Sequence, residues 1–137
     1  MPRAYAGIVV DAKSGKVLYE SDADEYRYPA SVTKVMTLYV LFQEINAGNI
    51  KLSDKMKVSK HAASAVPTKL GLKAGSTISV ENAIKSLVTL SANDMARVIA
   101  EYISGTESSF AKRMTSTAKA LGMNHTTYAN ASGLPDS

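Results

Sequence analysis

The stretch PASVTKVMTLYVLFQEI, residues 29–45, decides how this chain is read. Pro29-Ala30-Ser31 opens a helix, with serine suited to the N-cap or first turn and proline to the position just ahead of it. Val32, Val35, Met36, Leu38, Tyr39, Val40, Leu41, Phe42 and Ile45 then cover every face. A helix apolar all round is expected in the middle of a domain. Asn46-Ala47-Gly48 stops it, which places the central helix within 29–48. Lys34 stands on the first turn of this run, three residues after Ser31. Lysine is seldom buried without a partner or a chemical task.

Residues three apart on an α-helix differ by about 60° around the axis, so Ser31 and Lys34 share a face. A lysine acts as a base only when neutral. Desolvation near the positive end of a helix lowers its pKa. A neutral Lys34 can take the Ser31 proton and make the hydroxyl a nucleophile. The helix start also favours a developing oxyanion near the Ser31 amide. The spacing alone is cheap, since composition gives roughly 1.4 S-x-x-K pairs by chance and the chain has three. Ser109–Lys112 and Ser116–Lys119 fall on an amphipathic helix and are expected to be solvated. The unremarkable reading of Ser31–Lys34 is a capping serine beside a snorkelling lysine. What separates this pair is its place at the head of the central apolar helix, directly after the polar loop SDADEYRY (21–28).

Upstream, AGIVVDA (6–12) and KVLYE (16–20) flank Lys13-Ser14-Gly15 and predict a β-hairpin. Two strands alone are marginal in water, so their sheet partners are expected elsewhere. Downstream, residues 49–78 are mixed and broken by Pro67, Gly71 and Gly75. Helical spacing resumes at Val80, Ala83, Ile84, Leu87, Val88 and Leu90. A second helix carries Met95, Val98, Ile99, Tyr102 and Ile103 and ends at Gly105. Thr106 caps a third, with Phe110, Met114, Ala118 and Leu121 recurring on one face and Gly122 as its C′ residue. The tail NHTTYANASGLPDS is turn-rich.

Between the first two of these helices lies Ser91-Ala92-Asn93. One reading makes Ser91 the cap of the helix starting near Ala92. The other uses the break to aim a hydroxyl and a carboxamide into a cleft. There Ser91 relays a proton to a leaving amine, and Asn93 holds a substrate amide with its donor and its acceptor.

Composition narrows the chemistry further. The 137 residues fit one domain, and the +4 charge is scattered rather than blocked, so no nucleic-acid footprint is indicated. With no cysteine, disulfides, thiol nucleophiles and most structural zinc sites are excluded. His61 and His125 have no metal-site spacing. No apolar run of transmembrane length and no signal-peptide anatomy are present.

Together, Ser31-Val32-Thr33-Lys34 and Ser91-Ala92-Asn93 resemble the first two motifs of the penicillin-binding, serine β-lactamase-like superfamily. VVDAKSGKVLYE, YPASVTKVMT, LKAGSTISVENAIKSLVTLSAND and ASGLPD resemble, within it, the low-molecular-mass D-alanyl-D-alanine carboxypeptidases over essentially the whole chain. The resemblance implies an α/β fold of the α+β type, the N-terminal part of a β-lactamase/transpeptidase-like domain. Its parts are a hairpin and loop (1–28), the central helix (29–48) and a mostly helical subdomain (49–137), with the remaining sheet strands missing. It implies Ser31 as the acylated nucleophile, Lys34 as its base, Ser91 in proton transfer and Asn93 in peptide binding. It further implies peptidoglycan stem peptides as substrate, β-lactams as trapping mimics, and neither metal nor organic cofactor. The parent protein is expected in the periplasm or on the outer face of the membrane, with any export signal and anchor outside this chain.

The family's third motif, K-[ST]-G, is expected on a strand facing the serine. Lys13-Ser14-Gly15 fits the letters but falls in the hairpin turn, and Lys73-Ala74-Gly75 lacks the hydroxyl residue. The true motif is expected after ASGLPD, so this piece is expected to be weakly active or inactive, and open to self-association through its incomplete sheet. Three other readings stand beside the carboxypeptidase. One is a serine β-lactamase, for which Glu44, Asp54 and Glu81 show no pairing with a water-holding asparagine. Another is a non-catalytic cell-wall-binding fragment. The last is a Ser/His/Asp hydrolase using His61 or His125, disfavoured by the absence of a G-x-S-x-G elbow.

Overall fold

The computed structural model describes residues 5–135. Strands β1 (Gly7–Val10) and β2 (Val17–Ser21) form the expected antiparallel hairpin, pairing Gly7 with Ser21 and Val10 with Val17. An irregularity sits between Val9 and Val10. The turn is set by Asp11, whose carboxylate accepts from the Lys13 amide (3.1 Å), the Ser14 amide (2.7 Å) and the Ser14 hydroxyl (2.7 Å). Those bonds, Ser14's foremost, hold the Asp11 carboxyl below its ordinary pKa.

The core lies on the helical side. Helix α1 (Thr33–Asn46) packs against α4 (Asn93–Ser104) and α5 (Glu107–Ala120), and α4 packs in turn against α3 (Val80–Leu90) and the short α2 (Lys60–Ala63). Met36, Val40 and Leu41 of α1, Met95, Val98 and Ile99 of α4, and Phe110 and Met114 of α5 form one buried cluster. Thr106 caps α5 as expected, its hydroxyl accepting from the Ser109 amide. Gly105 follows α4, and Gly122 follows α5 at φ 86°. Glu44 near the end of α1 pairs with Arg113 of α5, fastening the two helices. No described helix is long and apolar enough to cross a membrane.

Three expectations need correction. The central helix is not buried all round. Val32 (67% exposed), Val35 (66%), Tyr39 (41%) and Phe42 (47%) form an open stripe. They recur at three- and four-residue steps, so they share the side turned away from the helices. The stretch 49–78 is not merely mixed. Strands β3 (Lys55–Lys57) and β4 (Thr77–Ser79) make a second antiparallel pair, with Met56 facing Ile78. Three-residue strands are too short to show a period of two in sequence. Finally Leu121 does not join the buried face of α5. It is the C-cap residue and half exposed.

Candidate active site

Ser31 lies in a single 3-10 turn (Ala30–Val32) that leads into α1. Its hydroxyl is not a cap. Neither the turn nor α1 has a side-chain cap bond, because Ser31 sits inside the turn and Val32 occupies the N-cap position of α1. Ala30, just before it, holds φ 50°, a conformation that costs a non-glycine residue of order 1 kcal/mol.

Lys34 points into the protein and is 5% exposed. Its Nζ donates to Ser31 Oγ at 3.1 Å and to the Ser132 carbonyl at 2.9 Å. Among the described residues no carboxylate forms an ion pair with it. Burial therefore acts on the ammonium without compensation and lowers the Lys34 pKa. A lysine so placed gives up its proton more readily than one in water, and its nitrogen is already within reach of the hydroxyl it would deprotonate.

The second partner of Lys34 comes from the tail. Asn130 folds residues 130–134 into a tight loop. Its Oδ1 accepts from the amides of Gly133 (2.7 Å) and Ser132 (3.2 Å), and its Nδ2 donates to the Leu134 carbonyl (2.8 Å). The Ala131 carbonyl accepts from Thr37 Oγ1 at 2.7 Å. Gly133, at φ 81°, crosses directly over Ala30, and a Cβ there would lie 1.7 Å from the Ala30 carbonyl oxygen. Only glycine permits that approach.

The S-x-N segment departs from its capping reading. Ser91 is not the cap of the next helix but the left-handed C-cap of α3 (φ 56°, ψ 41°). Ala92 is the N-cap of α4 and makes no side-chain bond. Among the described residues the Ser91 hydroxyl has no hydrogen-bond partner, and no bond joins it to Ser31 or Lys34. Asn93 is buried, and its Nδ2 donates to the Val66 carbonyl at 3.0 Å. Its amide also donates to the Thr68 carbonyl at 2.8 Å. One amide proton is thus engaged, leaving the other and Oδ1 for a ligand. Asp94, fully buried, accepts from the amides of Leu70 and Gly71, both at 2.9 Å. The pair Asn93-Asp94 therefore pins the loop 66–71 beside the head of α4.

Sequence reasoning named Ser31, Lys34, Ser91 and Asn93. It assigned no role to Thr37, Asp94, Asn130, Ser132 or Gly133. A threonine in an apolar run and an N-A-S-G turn were visible, but nothing local tells that the two meet across 94 positions. The other candidates sit apart from this arrangement. Ser109, Lys112, Ser116 and Lys119 are exposed, as expected. Lys13-Ser14-Gly15 is the hairpin turn, and Lys73-Ala74-Gly75 is a turn before β4, closed by the Ser76 amide on the Lys73 carbonyl. His61 pairs with Glu107 at 2.9 Å, and His125 meets the Tyr26 ring edge-on. Among the described residues neither imidazole hydrogen-bonds a serine hydroxyl. Glu44 does pair with an asparagine, Asn49, at 2.9 Å. That corrects the expectation for the acidic residues, but the pair stands at the far end of α1, about 15 Å along the axis from Lys34.

Comparison with known proteins identifies the family. The family Peptidase_S11, D-alanyl-D-alanine carboxypeptidase, matches residues 2–137, and the chain belongs to it. The D-alanyl-D-alanine carboxypeptidase DacF of Bacillus subtilis is 37% identical over 133 residues, covering 97% of this chain and 34% of that protein. The crystal structure of the carboxypeptidase DacD from Francisella tularensis superposes with a TM-score of 0.93 at 41% identity, over 96% of this chain and 32% of that one. Penicillin-binding protein D2 from Listeria monocytogenes, solved with ampicillin bound, gives 0.77 at 30% identity over 96% and 52%. The fold is accordingly that of penicillin-binding proteins, and the chain spans about a third of the length of the curated relatives it matches.

Proposed function

We propose that these residues form the N-terminal portion of one transpeptidase-like catalytic domain, in a protein that removes the terminal D-alanine from peptidoglycan stem peptides. The observation that carries this reading is the buried Lys34, unpaired with any described carboxylate and set 3.1 Å from Ser31 Oγ. Neutral Lys34 takes the Ser31 proton as Oγ attacks the carbonyl carbon of the penultimate D-alanine. The amide C–N bond breaks, and the leaving amine receives the proton from Lys34 through Ser91. Water then attacks the ester carbonyl, releasing the shortened peptide and returning a proton to Ser31. Asn93 holds the peptide amide through Oδ1 and its remaining amide proton. The K-[ST]-G strand, and the sheet that would cover the open stripe of α1, come from the rest of the protein. No metal or organic cofactor takes part.

A β-lactam presents its strained amide to the same serine and leaves a long-lived ester, consistent with the ampicillin complex of the Listeria relative. Such a protein works in the periplasm or on the outer face of the membrane, bound there by an anchor beyond this chain. A β-lactamase is the alternative. Against it, Glu44 stands about 15 Å along α1 from Lys34, Glu81 pairs with Lys85 on the surface, and Asp54 accepts from the Lys51 amide. None of the three bonds Ser31 or Lys34. A non-catalytic wall-binding fragment would leave the Lys34–Ser31 arrangement without a use.

The test is an intact mass spectrum of the full-length protein before and after incubation with a penicillin, with Ser31→Ala as control. An adduct of one penicillin, absent in Ser31→Ala, is expected, together with D-alanine release from a stem pentapeptide and negligible nitrocefin turnover. A folded protein that gains no adduct would overturn the reading. Fast nitrocefin turnover would turn it into a β-lactamase.

A further inference from the structure

The Ala131 peptide is gripped at both ends. Its carbonyl accepts from Thr37 on α1 (2.7 Å), and its amide donates to Glu107 Oε2 at the start of α5 (3.3 Å). The next carbonyl along, that of Ser132, is the one on Lys34 Nζ. Glu107 is itself held from two other helices. His61 of α2 reaches its Oε1 at 2.9 Å, and Arg97 Nε of α4 approaches the same oxygen at 3.6 Å. Arg97 also donates to the His61 carbonyl. Helices α2 and α4 and the 130–134 loop thus converge on one carboxylate of α5, 14% exposed, that makes no bond to Lys34. His61, Arg97 and Glu107 line an open cleft of about 640 Å³ together with Asn130, Ser132 and Leu134.

We propose that Glu107 is a positioning residue for acylation: by holding the Ala131 amide it fixes the Ser132 carbonyl on Lys34 and keeps the lysine dry. The inference rests on the carboxypeptidase reading, in which Lys34 is the base. Without the Glu107 grip, the 130–134 loop is tied to the helices through Thr37 and through Lys34 itself, so the Ser132 carbonyl is held less firmly and water reaches Lys34. The ammonium is then better solvated, so less of the lysine is neutral at a given pH. The charged groups around Glu107 are His61 and Arg97, with Glu101 on the same cleft wall, bonded to Ser59. Glu101→Gln therefore serves as the control on that wall.

The experiment measures acylation of the full-length protein by a fluorescent penicillin from pH 5 to 10, in wild type, Glu107→Ala, Glu107→Gln, Thr37→Val and Glu101→Gln. Glu107→Ala is expected to slow acylation about tenfold at neutral pH and to move the acid limb of the profile to higher pH, so that the defect shrinks as pH rises. Glu107→Gln, which keeps an oxygen for the Ala131 amide, recovers most of the rate. Thr37→Val, which loosens the same peptide from its other end and preserves side-chain shape, moves the limb in the same direction and reads the grip even if Glu107→Ala does not fold. Glu101→Gln leaves the profile in place. A uniform loss at every pH, or an unmoved limb in both Glu107→Ala and Thr37→Val, overturns the positioning role. A wild-type protein that is not labelled at all overturns the carboxypeptidase reading instead.

Discussion

The two sides of α1 obey different rules. Toward α4 and α5, Met36, Val40 and Leu41 are sealed in a core that also carries Thr33, Lys34 and Thr37. Away from them, Val32, Val35, Tyr39 and Phe42 lie open, and the hairpin beyond exposes Ile8, Val9, Leu18 and Tyr19. One side buries polar groups among its apolar ones, and the other leaves apolar groups exposed. This contrast marks one side as a finished core that holds the hydrogen-bonded Ser31–Lys34 pair, and the other as an exposed apolar surface of the kind that marks an interaction site.

The contrast can be broken most sharply at Phe110, fully buried on the finished side. Phe110→Ala is expected to cost about 3–5 kcal/mol in urea unfolding, through lost burial and the cavity left behind. A cost below about 1 kcal/mol would mean the helical side is loosely packed. Smaller and opposite in sign is Lys34→Met. Removing a buried cation without a counter-charge should stabilise by roughly 1 kcal/mol at neutral pH while abolishing acylation. The sign follows from the lowered Lys34 pKa. Between that native value and the ordinary 10.5 the unfolded chain holds more protons, so wild-type stability rises with pH and the advantage of methionine fades on the way to 10.5. An advantage constant across that range would exclude Lys34 as the group responsible. Smallest is Val35→Gln on the open stripe, expected to change the stability of residues 1–137 by under about 0.5 kcal/mol. A larger loss that grows with protein concentration would show that the stripe is covered by self-association.

Elements with a strong local signal were legible. The hairpin, α3, α4, α5 and the Thr106 cap all follow from period, turn residues and caps, and the central helix from its length. Burial around that helix was not legible. An all-apolar run says that every face can be covered, not that every face is covered here. At the site, Ser31 and Lys34 share one turn of helix and could be paired from spacing. Ser91 could be singled out but not its left-handed backbone, since nothing beside it requires that conformation. Glu107, Asn130, Ser132 and Gly133 were beyond reach because their roles arise from backbone contacts between distant segments, which leave no pattern in neighbouring letters.

The bond from Lys34 to the Ser132 carbonyl closes 98 positions of chain. Loops of that length close late, after local helices have formed. During synthesis Lys34 is therefore expected to stay solvated while about a hundred further residues are made. A chain interrupted before residue 132 keeps the serine and the lysine one helix turn apart, but not the Ser132 carbonyl that holds the lysine from the other side.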